Sequence, residues 1–169
     1  MFFFLTDNGY SFGEHRWVTK ECPYEECITT PFAVDVPGVA ARTDEMPVSN
    51  ADLAPTIAAF ANEQPGAPVD GANLMPLLTG TGPPPSRPGV LIEWSGISVV
   101  PRWWGIRTAN FAYIETAPNW VELYDITGRL GPADPFELHN VANDPAYAAV
   151  RARLASALGR LRSQPPTRE

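Results

Sequence analysis

Four residues near the start of this 169-residue chain have types that could handle an anion. Asp7 and Asn8 are adjacent, His15 sits in a Gly-Glu-His run, and Lys20 is the single lysine beside eleven arginines. A carboxylate and an amide carbonyl are hard oxygen donors, the kind that bind Ca²⁺ or, less readily here, Mg²⁺. A compact ammonium is a point-charge partner for a tetrahedral anion. An imidazole can donate a hydrogen bond or a proton. Metal, lysine and histidine around one oxyanion would make a group-transfer site. The same residues have a plainer reading: Asp-Asn-Gly after a strand makes a turn, and one isolated lysine is an ordinary surface residue.

The chemical reading needs an element that presents these residues. Met1–Leu5 is wholly apolar and closed by Asp-Asn-Gly, which fits a strand covered on both faces, as in the parallel sheet of an α/β domain. Ligands gather at the carboxyl edge of such sheets, where Asp7 and Asn8 fall. The run lacks the basic flank and length of a signal peptide, and no segment reaches the roughly 20 apolar residues that span a membrane. A polar loop, 9–20, follows. "PYEECITTPFAVDVPGV" reads as a short helix with Pro23 in its first turn, then a strand over Phe32–Val36 and a Pro-Gly turn. "SNADLAPTIAAFANE" reads as a helix capped by Asp52, with Leu53, Ile57 and Phe60 on one face. "PVDGANLMPLL" carries a brief helical turn.

Residues 1–82 therefore form a first portion, 83–88 a Pro-rich linker, and 89–169 a second portion. The second portion holds four strand-like runs, "GVLIEW", "RWWGIRT", "FAYIET" and "WVELYDI", with gaps that suit an antiparallel meander. It closes with a helix begun by Asp144 and Pro145, whose stripe of Tyr147, Val150, Leu154, Leu158 and Leu161 would pack on that sheet.

Composition limits the function classes. Hydrophobic residues make up 44%, enough for a core, and the net charge of −7 argues against nucleic-acid binding. The charge is uneven: 11 acids and 3 bases in residues 1–85 against 8 acids and 9 bases in 86–169. The acidic half would suit a cation. Cys22 and Cys27, five apart, lack a metal-ligand spacing and would lie on different faces of a helix, which reads as two reduced, half-buried thiols. With no signal peptide in the chain, the cytoplasm is the default compartment.

"TDNGYSFGEHRWVTKECPYEECITTPFAVDVPGV" resembles the sulfatase family of the alkaline-phosphatase-like superfamily, which carries a T/S-D-N-G-x-x-x-G-E/D-H strand-loop, a lysine, "YEE" and an R-V-P strand. "VSNADLAPTIAAFA" and "VDGANLMPLL" resemble the segments that follow, and "GIRTANFAYIET…VELYDI…DPFELHNVANDP" resembles the family's C-terminal subdomain of a small antiparallel sheet and a final helix. The resemblance implies an α/β fold: the C-terminal part of a sulfatase catalytic domain, then that subdomain. It implies that Asp7 and Asn8 are Ca²⁺ ligands, that Lys20 holds the sulfate, and that His15 lies near the substrate. Thr30 and Phe32 depart from the Arg and Val usual around the R-V-P strand.

Family members usually carry, in their first half, a Cys or Ser in C/S-x-P-S/A-R that matures to formylglycine, and two early Asp metal ligands. Neither is in this sequence. "PPPSR", 83–87, has Pro83 where an oxidisable residue is required. The resemblance thus covers the C-terminal half of a sulfatase, and the chain alone is expected to be inactive. Three readings follow: part of a sulfuric ester hydrolase, part of a phosphoester or phosphonate hydrolase of the same superfamily, or a non-catalytic remnant or interaction fragment. The partner would be a sulfate ester once an N-terminal half completes the site. Self-association through the exposed first strand is a further expectation.

Overall fold

The computed structural model describes residues 1–97 and 99–163; the last six residues of the 89–169 portion lie outside the described residues. In chain order the elements begin with β1 (Phe2–Leu5), β2 (Ser11–Phe12), β3 (Val18–Thr19), α1 (Glu25–Ile28) and β4 (Phe32–Asp35). Next come α2 (Leu53–Phe60), α3 (Met75–Thr79), β5 (Val90–Trp94), β6 (Trp103–Arg107), β7 (Phe111–Thr116), β8 (Trp120–Asp125) and α4 (Ala148–Ser163). The chain divides into two compact units. One contains residues 1–7 and 31–87, the other 8–30 and 88–163. Residues 8–30, grouped with the first portion in the sequence reading, thus fold with the C-terminal sheet.

In the first unit β1 pairs antiparallel with β4, Phe2 opposite Asp35 and Leu5 opposite Phe32. Among the described residues these two strands make a two-stranded sheet, so β1 has an open edge instead of the neighbours a central parallel strand would have. The pleat sends alternate side chains to opposite faces. Phe3 approaches the Phe32 ring, at 6.4 Å between centroids. Phe2 and Phe4 point the other way and are 65% and 58% exposed.

The rest of this unit is organised by one buried carboxylate. Asp52 is fully buried and takes a bidentate ion pair from Arg87, at 2.9 and 2.8 Å. Its oxygens also accept the backbone N–H groups of Ser49 and Ala72. A buried charge is tolerable only when paired and hydrogen-bonded in this way. Ser49, not Asp52, is the residue whose side chain caps this turn; Asp52 closes the reciprocal half of a capping box. The face of α2 that carries Leu53, Ile57 and Phe60 is not its buried face. Ile57 and Phe60 are largely exposed, while Pro55 and Thr56 are buried. Thr56 faces inward because its hydroxyl accepts the Leu74 N–H at 2.9 Å and donates to the Asp52 carbonyl at 2.6 Å.

In the second unit β5–β8 form a meander in sequence order, every neighbour antiparallel. Asp144 accepts the Ala146 N–H at 2.9 Å, and α4 follows. Tyr147, Leu154 and Leu158 are buried with Ile106, Phe111 and Leu123 of the sheet, with Val150 and Leu161 at the margin. The stripe read from the sequence is therefore the core of this unit. The opposite sheet face buries Trp103, Ala112, Ile114 and Tyr124, with Tyr24 packed against them.

Residues 8–30 are fixed to this sheet by polar contacts. Arg107 donates through Nε to Glu25 at 2.6 Å, Trp103 Nε1 donates to the Glu21 carbonyl at 2.8 Å, and the Glu25 N–H donates to Glu137 at 2.8 Å. Gly9 is required where it stands: its N–H reaches the Cys27 carbonyl, and a Cβ there would meet the Glu26 carbonyl at 2.1 Å. Cys22 and Cys27 are both buried and form a disulfide, not two thiols. The helix that would have separated them starts only at Glu25, and the turn before it brings the two Cα atoms to 5.7 Å.

Two outcomes are expected. Hydrogen exchange of the purified chain will be slow in β6–β8 and the centre of α4, and fast at Phe2–Leu5, whose open edge exposes large apolar side chains. Replacing both cysteines by serine will lower the unfolding free energy of the second unit by about 2 kcal/mol, the chain-entropy value for so short a loop, measured by urea denaturation.

Candidate functional site

The loop that carries the predicted chemistry is folded by its own polar groups. Ser11 is buried, and its hydroxyl donates to the Trp17 carbonyl at 2.8 Å, closing the β2–β3 turn. Gly13, His15, Arg16 and Thr19 all have positive φ, at 135°, 53°, 58° and 117°. For a β-branched residue such as Thr19 this is a strained conformation, retained only when the surroundings enforce it. Glu21 does so: its carboxylate accepts the Thr19 hydroxyl and the Lys20 N–H.

Lys20, displayed just after this kink, is exposed, and its Nζ lies 3.4 Å from Asn8 Oδ1. The structure therefore brings Lys20 and Asn8 together. Asp7 lies two residues after β1 in the first unit, with an exposed carboxylate and a backbone carbonyl that accepts from Asn50 Nδ2 at 3.0 Å.

His15 takes a different direction. Its ring stacks on Tyr24, at 3.9 Å between centroids and 15° between planes, and Nε2 lies 3.8 Å from Glu26 Oε2. Tyr24 is held in turn by Glu122, whose Oε1 accepts both the Tyr24 and the Tyr124 hydroxyls, at 3.2 and 2.7 Å. Burial pushes the Tyr24 hydroxyl upward, with the Glu122 charge adding to it.

Two acidic residues beside His15 carry no role in the sequence reading. Glu137 is buried at 2% exposure. Burial pushes its carboxyl up to about 8; the Glu25 and Glu26 carboxylates add to the rise, and the Glu25 N–H and Arg107 oppose it. Glu26 sits in "YEE" and Glu137 in "DPFELHN", segments whose residue types signal nothing about their meeting. They are more than a hundred positions apart. A glutamate between Phe and Leu is the only local anomaly that could have drawn attention to position 137.

Residues 13–164 match the family described as N-sulphoglucosamine sulphohydrolase, C-terminal. The chain belongs to the sulfatase family. Among curated relatives it is similar to an N-acetylglucosamine-6-O-sulfatase of Bacteroides thetaiotaomicron, 31% identical over 171 residues, covering 95% of this chain and 30% of that protein. It also resembles a solved structure in complex with its substrate, D-glucosamine-2-N,6-O-disulfate, at 27% identity and TM-score 0.78, covering 97% of this chain and 35% of the other. A phosphonate monoester hydrolase of Agrobacterium radiobacter is similarly close in structure, at 29% identity and TM-score 0.81, covering 96% and 34%. This sulfatase-family chain spans about 30% of the length of the first curated relatives it matches and corresponds to the family's C-terminal portion.

Membership implies a divalent cation. Asp7 and Asn8 fit that role in kind, both being oxygen donors in the loop that follows β1, and an exposed carboxylate is open to a cation. They supply two oxygens where Ca²⁺ takes about six to eight. Calorimetry of the isolated chain is therefore expected to give a Ca²⁺ dissociation constant of roughly a millimolar or weaker. Micromolar affinity would mean that the chain builds a full ligand shell by itself.

Proposed function

We propose that this chain forms the C-terminal part of a Ca²⁺-dependent sulfuric ester hydrolase, with Lys20 binding a sulfate oxygen beside the cation ligands Asp7 and Asn8. The observation that carries the reading is the approach of Lys20 Nζ to Asn8 Oδ1 at 3.4 Å in a chain of this family. Lys20 is the single lysine, and the strained Thr19 peptide held by Glu21 fixes where its side chain starts. An ammonium in that position attracts a sulfate oxygen and stabilises the negative charge that gathers on it during S–O cleavage. Ca²⁺, when bound, would add positive charge to the same oxygens.

His15 serves this site as a positioning residue. Stacked on Tyr24 and directed at Glu26, it holds the turn that ends in Lys20. The covalent nucleophile comes from outside this sequence, since Pro83 occupies the position of the oxidisable residue in "PPPSR". The open edge of β1, with Phe2 and Phe4 beside it, suits an added strand from such an N-terminal portion or from a second copy of this chain. The Cys22–Cys27 disulfide supports an oxidising compartment in place of the cytoplasmic default.

The likeness to the phosphonate monoester hydrolase favours a second reading, in which the same lysine and cation bind a phosphonate monoester. One experiment separates these readings. The chain is assayed alone, and then joined to a sulfatase N-terminal portion carrying a matured C-x-P-S-R motif, with an aryl sulfate and an aryl phosphonate as substrates. The expected result is no turnover by the chain alone. The joined protein should prefer the sulfate, and Lys20→Ala should lower kcat by about 10²–10³-fold, the cost of removing one charge-stabilising donor. Preference for the phosphonate selects the second reading. Full activity in the Lys20→Ala protein overturns both.

A further inference from the structure

The His15, Glu26 and Glu137 side chains meet inside the second unit and use neither Asp7, Asn8 nor Lys20. One donor atom from each, a ring nitrogen and two carboxylate oxygens, lies within 4.8 Å of the other two. The polar bookkeeping of this cluster is incomplete. Glu26 Oε2 and one oxygen of Glu137, Oε1, are both buried with no hydrogen-bond partner among the described residues, although Glu137 is 98% removed from solvent. A buried acceptor without a donor costs about 1–3 kcal/mol, and more when charged. Two such acceptors around one imidazole call for a shared positive partner.

The geometry points to a divalent transition-metal ion held by His15, Glu26 and Glu137, with Zn²⁺ the best match. One imidazole nitrogen and two carboxylate oxygens are a donor set of intermediate hardness, suited to Zn²⁺ and its neighbours more than to Ca²⁺. Ligands about 2.1 Å from a tetrahedral ion lie about 3.4 Å apart. The 3.8 Å between His15 Nε2 and Glu26 Oε2 needs only a small contraction to reach that.

The surroundings are arranged as an outer layer for such an ion. Tyr24 stacks on His15 and fixes its ring plane. The Glu25 N–H holds Glu137 Oε2 at 2.8 Å, leaving Oε1 available. His15 and Glu137 both have φ 53°, the left-handed conformation that non-glycine residues adopt where the fold enforces it. His15 and Glu26 keep some exposure, so water can complete the coordination. This site does not depend on the sulfatase reading above and would stand if that reading failed.

The test is calorimetry of the full chain, stripped with a chelator and titrated with ZnCl₂, together with the visible spectrum after Co²⁺ addition. One Zn²⁺ per chain is expected, competing with Co²⁺ that shows the intense bands of a four-coordinate centre. Ligand loss should weaken binding at least as much as loss of an outer partner, which costs about 10–100-fold. Glu137→Gln, which keeps an acceptor for the Glu25 N–H, and Glu26→Gln should each do so, while His139→Ala should leave binding unchanged. Circular dichroism identifies a variant that fails to fold, and the remaining ligand variant then decides. The absence of stoichiometric Zn²⁺ binding, or binding that survives both glutamine variants, overturns the assignment.

Discussion

The ion pair between Arg107 and Glu25 is the contact on which the placement of residues 8–30 depends. Arg107 lies at the end of β6, inside the meander, where backbone pairing on both sides leaves it little freedom. Glu25 opens α1, and through its side chain it ties the strained loop to the sheet at 2.6 Å. Its backbone N–H meanwhile reaches Glu137. One residue thus joins the loop to the meander and to the segment leading toward α4. The pair is partly screened by the groups around it, so its value lies in fixing geometry more than in Coulomb energy.

That arrangement explains why a loop with so little regular structure can present a lysine reproducibly. Residues 8–30 contain two two-residue strands, a short turn and a four-residue helix. None of these is stable alone, since isolated helices under about 12–15 residues are marginal in water. Their order comes from specific closures: the disulfide, the Ser11 hydroxyl, the Trp103 indole and Glu21. The small hydrophobic area of the loop is compensated by polar contacts, each of which constrains a backbone direction.

The legible parts of the fold were those with a period. The meander strands alternate or run apolar and the final helix repeats at helical spacing, because the helix packs on one sheet face and the opposite face is buried as well. α2 misled because its apolar residues are evenly mixed with alanines, so the pattern alone could not tell that Thr56 turns inward to bond Leu74. β1 was legible as a strand but not in its pairing, because pairing depends on which partner is present. Asn8 and Lys20, which approach to 3.4 Å, lie twelve residues apart in one motif. Glu26 and Glu137 could not be read, since their meeting is a product of the tertiary fold, and a single sequence records no contact across such a separation. The disulfide is not legible for a local reason: helical geometry would part residues five apart, and this stretch begins as a turn.

The spread between the loop and its partners also sets an order of assembly. Glu21 and Glu25 meet Trp103 and Arg107 across 82 positions, and the Glu25 N–H meets Glu137 across 112. At the usual pace of synthesis, about 5–20 residues per second, the loop leaves the ribosome on the order of ten seconds before the last of these partners exists. The Cys22–Cys27 link has no such wait, because its two halves are five residues apart. During translation the nascent chain can therefore carry a small closed ring ahead of any sheet. The meander, built from neighbours in sequence order, then has the local topology that folds fast and offers that ring its docking surface as soon as it forms.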